Sequence, residues 1–138
     1  MRSVDRLRRR GAFRTEVGAM PADEAEHWFE DETPVGIDLD RPGIFEWRIE
    51  KTGTYIATSK ETTIRKRLKN YKKRFRQLRN HEPYSSTNPD GFRKIHRQVV
   101  EAREKGLSVV FAAIENCSPE DVAERRRYWI GVRGTLNV

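Results

Sequence analysis

The 138 residues hold a single cysteine, Cys117. No internal disulfide can form, and without a Cys/His pattern around it neither zinc binding nor thiol catalysis is indicated. No apolar run approaches the ~18 residues that a membrane span needs. Behind the opening Met1-Arg2-Ser3-Val4-Asp5-Arg6 there is no apolar stretch of the kind a secretory signal requires. These absences set the expectation of a protein of the reducing cytoplasm, with the nucleoid as a place to work. Internal repeats, low-complexity tracts, and zinc-finger, homeodomain or RNP motifs are also missing, so nothing supplies evident base readout. The length suits one compact domain with a short appendage.

What the chain does have is positive charge. Its 28 Lys and Arg against 21 Asp and Glu leave a formal net charge of +7. Such a surplus attracts polyanions, with counterion release from nucleic acid as the gain. Composition by itself does not separate DNA, RNA and an acidic protein. The apolar share and the charged share are both 36 %, which allows a core of modest size.

The charge is unevenly spread. A basic run, Arg6-Leu7-Arg8-Arg9-Arg10, is followed by an acidic patch from Asp23 to Glu32. Pro21 and the spacing of Ala22, Ala25, Trp28 and Phe29 predict a short helix over 21–31, docked through the two aromatics. From Gly43 the pattern changes. Ile44-Phe45-Glu46-Trp47-Arg48-Ile49 and Tyr55-Ile56-Ala57-Thr58 are strand-forming runs joined by a turn containing Gly53, which predicts an antiparallel hairpin. Ile64, Leu68, Tyr71, Phe75 and Leu78 then form an apolar stripe at helical spacing on a basic rod.

After a polar loop from His81 to Asp90, a second helix near Phe92 to Glu104 presents Phe92, Ile95, Val99 and Ala102, with Gly106 as its C-terminal cap. Leu107 to Glu115 reads as a buried strand. Ser118-Pro119-Glu120-Asp121 starts a third helix, with Ser118 as N-cap and acids at the positive dipole end. The expected fold is α/β (α+β): a small central, mainly antiparallel three-stranded sheet flanked by helices. Residues 1–42 form an N-terminal extension with a short helix, and residues 43–138 form the domain.

Set in this order, the residues resemble the GIY-YIG nuclease family. Gly43-Ile44-Phe45 and Tyr55-Ile56-Ala57 stand where the two signature tripeptides fall, one on each strand of the hairpin. Ile64-Arg65-Lys66-Arg67-Leu68 is similar to the helical segment that frames an arginine. Glu124 resembles the family's metal-binding glutamate, and Leu136-Asn137 the asparagine that closes the motif. The likeness spans about residues 43–137. Two positions depart from it: Phe45 replaces a tyrosine and lacks its hydroxyl, and Ala57 replaces a glycine and adds a methyl.

The resemblance implies an endonuclease that hydrolyses phosphodiester bonds with one Mg²⁺ or Mn²⁺ held by Glu124, hard cations suited to carboxylate oxygen. Tyr55 would be the general base, helped by the positive charge of Lys60, Arg67 and the metal, since a free phenol titrates near ~10. For the arginine, helical geometry decides between two candidates. At ~100° per residue, Arg67 lies roughly 60° from the centre of the apolar stripe and Arg65 about 100° from it on the other side. Arg67 can therefore pack its stem and reach a phosphate with its guanidinium. Tyr71, one turn on, shares that edge and could orient substrate or Arg67.

Asn137 is expected to bridge backbone groups near the site or to contact the scissile phosphate. His96 is read either as a satisfied core histidine or as a group that moves a proton or touches phosphate. Without the resemblance, Tyr55 is a strand tyrosine packed on the sheet and Glu124 a solvated helix glutamate. The binding surface is assigned to Lys60, Arg65, Lys66, Lys69, Lys72, Lys73 and Arg76, a backbone-tracking face for double-stranded DNA in the first instance, with Arg125-Arg126-Arg127 as a second cluster. Sequence specificity would have to come from the 81–91 loop, the 1–42 extension, a homodimer or another protein. The competing reading is the same fold with catalysis lost, a module that holds nucleic acid or an accessory partner.

Overall fold

The computed structural model describes residues 27–137. The Arg6–Arg10 run and the 21–26 part of the expected first helix lie outside them. Strand β1 is Glu30–Asp31, β2 is Gly43–Ile49, and β3 is Gly53–Ser59. Helix α1 is Ile64–Arg79, α2 is Lys94–Glu104, strand β4 is Val109–Asn116, and α3 is Val122–Arg133. The strands form one four-stranded sheet in the order β1-β4-β2-β3. β2 is antiparallel to both β3 and β4, and β1 is parallel to β4.

The sheet is thus mixed and four-stranded, where a mainly antiparallel three-stranded one was expected. The extra strand comes from the segment read as helix. Residues 27–31 are extended, with Glu30 opposite Val110 and Asp31 opposite Phe111. Trp28 and Phe29 do dock, as neighbours on an extended chain rather than on a helix face. Trp28 lies against Phe75 with ring centroids 5.6 Å apart, and Phe29 meets Trp47 edge-on at 5.1 Å. Burying two large rings and two ladder positions outweighs the weak helical propensity of so short a stretch.

Strand alternation divides the sheet into two layers. Phe45, Trp47 and Ile49 of β2, with Tyr55 and Ala57 of β3, pack with Ile64, Leu68, Tyr71 and Phe75 of α1 and with Ile95 and Val99 of α2. Ile44 and Ile56 point the other way and pack with Val122, Trp129 and Ile130 of α3. Both departures from the family pattern fall in the first layer. Phe45 is fully buried, and the Ala57 methyl is buried beside it.

Most local signals act as their chemistry requires, although the Ser118 hydroxyl donates to the Asp121 carboxylate at 3.0 Å and caps no backbone N–H. Thr63 caps α1, its hydroxyl accepting from the Lys66 N–H. Gly106, just past α2, takes φ +77°, where a side chain would be strained. Ser118 and Pro119 open a single 3₁₀ turn, Pro119–Asp121, that leads into α3. Phe92 is half-buried ahead of α2 and meets Tyr84 edge-on at 5.3 Å. Arg74 stacks on the same Tyr84 ring and donates to the Tyr84 carbonyl, which pins the 81–91 loop to α1. No helix among the described residues is long and apolar enough to cross a membrane.

Candidate nucleic-acid interface

Helix α1 separates its basic residues by the role each position allows. Lys66, Lys69, Asn70 and Lys73 recur at helical spacing and, with Thr62 and Arg67, line a shallow groove of about 540 Å³. Arg65 sits on another stripe and is already engaged, its Nε 2.8 Å from Asp40 Oδ1. Lys72 lies over the Phe29 ring at 5.5 Å. Arg76 is half-buried, and Lys60 is exposed just after β3. Of the expected binding set, Lys66, Lys69 and Lys73 therefore share one groove with Arg67, and Arg65 does not. In the second cluster, Arg125 is held by Glu115, with Nε 2.9 Å from the carboxylate.

From Arg67 inward, the core side of α1 buries polar atoms without satisfying them. Arg67 is half-buried, and its Nε has no hydrogen-bond partner. Tyr71, one turn on, is 4 % exposed, and its hydroxyl also lacks a partner. Nε1 of neighbouring Trp47 is in the same state. That indole can only donate, so even a closer approach would leave the phenolic proton without an acceptor. Burial first, then the Tyr55 phenol, pushes the Tyr71 hydroxyl up to about 12, against the weaker opposite pull of Arg93, Arg67 and the Trp47 indole N–H. Tyr71 is consequently a neutral hydrogen-bond donor at any physiological pH.

His96 stands behind this tyrosine, with ring centroids 5.2 Å apart. Its Nδ1 accepts the Arg93 backbone N–H at 3.0 Å, so the ring proton sits on Nε2. Burial, followed by the positive charge of Arg93, Arg74, Arg67 and Arg97, lowers its pKa from 6.5 to about 4. The ring is thus neutral at pH 7. An unfolded chain takes up this proton near 6.5 and the folded one only near 4, so folding is disfavoured increasingly as pH falls between those values. Above 6.5 the whole contribution is present; by pH 4 it is lost, on the order of 2–3 kcal/mol. Urea midpoints at pH 7.5 and 4.5 check this. His96→Gln keeps an acceptor for the Arg93 N–H and should flatten that part of the profile.

Tyr55, Arg67, Tyr71 and His96 are brought to one layer, with Phe45 forming part of the floor, its ring edge-on to Tyr71 at 5.7 Å. Asn137 lies at the margin of the sheet. Its Oδ1 accepts the Ile56 N–H at 2.7 Å, and its Nδ2 donates to the Ile56 carbonyl at 2.9 Å. The carboxamide thus bridges backbone groups of β3, one of its two expected roles. Glu124 is not brought to the group. It is exposed on α3, in the opposite layer, about 200° round the helix from buried Val122. Among the described residues no group of three or more His, Cys, Asp or Glu is placed to hold a metal. Glu124 therefore stands in the layer across the sheet from Tyr55 and Arg67, where a Mg²⁺ or Mn²⁺ would have a single carboxylate to hold it.

One participant escaped the sequence reading. Arg93 precedes α2, and its backbone caps that helix through His96. Arginine is not a residue that N-cap preferences would select. The usable signal was a histidine three residues on, at the position where a capping box places its acceptor. The chain matches no family model, no curated protein and no solved structure.

Proposed function

We propose that this protein is a nucleic-acid-binding module with a GIY-YIG-like fold, which grips the phosphate backbone of DNA along α1 without depending on a metal. The observation that carries this is the groove in which Lys66, Lys69 and Lys73 flank Arg67, whose buried Nε lacks an acceptor. A backbone phosphate supplies an acceptor of the right charge, and guanidinium–phosphate pairing is strong and geometrically selective. Four such cations correspond to a slope near −3.6 in log K against log salt, at about 0.9 per phosphate.

A second reading, metal-dependent endonuclease, is favoured by the convergence of Tyr55, Arg67 and Tyr71 on one layer. In it Tyr55 takes the proton of the attacking water and Arg67 stabilises the charged phosphoryl oxygens. Glu124 would be its metal ligand, and Asn137 would hold β3 in place. Supercoiled plasmid incubated with Mg²⁺, Mn²⁺ or EDTA separates the two. Salt-sensitive binding with no nicking under any metal is the expected result. Metal-dependent nicking that Tyr55→Phe and Glu124→Ala each abolish would overturn the binding-module reading and establish the endonuclease. Absence of DNA binding at low salt would remove both.

A further inference from the structure

We infer that Arg67 of α1 and Arg93 at the head of α2 close as two arms on a single backbone phosphate, with the Tyr71 hydroxyl as the third donor. The inference rests on the nucleic-acid reading above and names the contact that would fix the register of the strand in the groove. It starts from helix geometry. Tyr71 and His96 touch across the α1–α2 interface. One turn before Tyr71 on α1 is Arg67, and one turn before His96 on α2 is Arg93, tied to that histidine through its backbone. The two arginines therefore each stand one turn ahead of one of the two rings that meet at this interface.

Three observations say that what belongs between them is an anion. The Tyr71 hydroxyl and Arg67 Nε are donors buried without acceptors, a state that costs free energy unless a ligand relieves it. The Arg93 guanidinium is exposed at the head of α2. Arg67 and Arg93 both bring positive charge to the Tyr71 phenol and the His96 ring. Cations placed together repel one another, and a phosphate oxygen removes that repulsion. The neutral His96 adds no further positive charge and holds the α2 cap in place. Arg74, whose Nε is also without a partner, turns its Nη1 to Gln77 and the Tyr84 carbonyl and stacks on the Tyr84 ring, away from the pair.

The test is a double-mutant cycle on binding to a DNA duplex, followed by fluorescence anisotropy over a salt series. Arg67→Ala and Arg93→Ala should each weaken binding about tenfold, in the range of a lost charged contact. Because both arms hold one phosphate, the double variant should lose little more than either single one. The salt slope should fall by about one unit in all three variants. Losses that multiply to about a hundredfold, with a slope two units shallower, would mean separate phosphates and overturn the clamp. Tyr71→Phe should lose about threefold to fivefold in affinity with no drop in thermal unfolding midpoint, an outcome that a merely structural tyrosine would not give.

If wild type binds no DNA, the functional reading fails while the pocket stays testable with inorganic phosphate. Titrated into protein labelled with ¹⁵N-arginine, phosphate should shift the Nε–Hε signals of Arg67 and Arg93 with one common dissociation constant. Arg93→Ala should then abolish the Arg67 response. Unmoved signals, or an Arg67 response indifferent to Arg93→Ala, would sink the proposal.

Discussion

Gly43→Ala is expected to lower the thermal unfolding midpoint by at least about 10 °C, or to prevent folding altogether. Gly43 opens the central strand, opposite Ser59 on one side and Asn116 on the other. A methyl on it would overlap the Glu115 carbonyl oxygen and come within 3.1 Å of the Glu115 carbonyl carbon and the Asn116 Cα. All three are backbone atoms of β4, so no side chain can turn aside. The register explains the crowding: Ile44 faces Glu115, whereas the next residue, Phe45, faces Ala113, and the skipped Ile114 marks a bulge. Relieving the clash means undoing that bulge, at a cost of about 3 kcal/mol or more. Gly131→Ala is the control. In the last turn of α3 its methyl would meet no described atom within 4 Å, and the change should stabilise by up to about 0.5–1 kcal/mol. Equal midpoints for the two variants in a thermal melt would show that the close approach is not required.

The second large effect is expected from Arg133→Ala, about 2–4 kcal/mol of stability measured by urea unfolding. Glu46 is 1 % exposed, set between the fully buried Phe45 and Trp47 of β2. Its carboxylate is held bidentately by Arg133, at 2.8 and 3.1 Å, and by Arg48 Nε at 3.0 Å. Arg48 reaches on to Glu32 at 2.8 Å, which joins the segment after β1 to the network. Removing Arg133 leaves a buried carboxylate with one partner instead of two. The loss is capped because Arg48, itself partly solvated, remains. Arg133→Lys keeps the charge without the fork and should fall between wild type and alanine.

The same substitution has a local signature. Arg133 ends α3, and the residues just after it run back along β3: Leu136 N–H donates to the Thr54 carbonyl, and Asn137 bridges Ile56. Loss of the anchor should speed hydrogen exchange at the Ile56 amide more than at amides of α1. Uniform acceleration across the domain would indicate global destabilisation instead.

How much of this the sequence disclosed depended on the range of the forces involved. The hairpin, the α1 stripe and the start of α3 are local patterns of two to four residues, and they appear within a residue or two of their expected places. β1 was not legible, because two residues carry no periodicity and their partner lies about eighty positions away. Glu46 did announce itself as a charge inside an apolar run, but its partners on β2 and α3 could be found only in the folded chain. At the candidate site, Arg67 and Tyr71 follow from one helix and its angles. The pairing of Tyr71 with His96, and so the place of Arg93, depends on how two helices cross. Which way α3 turns Glu124 likewise depends on how that helix packs on the sheet.

The seating of Asn137 bears on how the molecule avoids its own copies. β3 is the last strand on its side of the sheet, and an open flank of that kind exposes amides and carbonyls ready to template an intruding chain. Here Thr54 and Ile56, two of the positions whose backbone groups turn outward, are already occupied by Thr135, Leu136 and Asn137. One side chain and a few residues of tail thus do what an additional strand would do, and they occupy the flank along which cross-β self-association would otherwise begin.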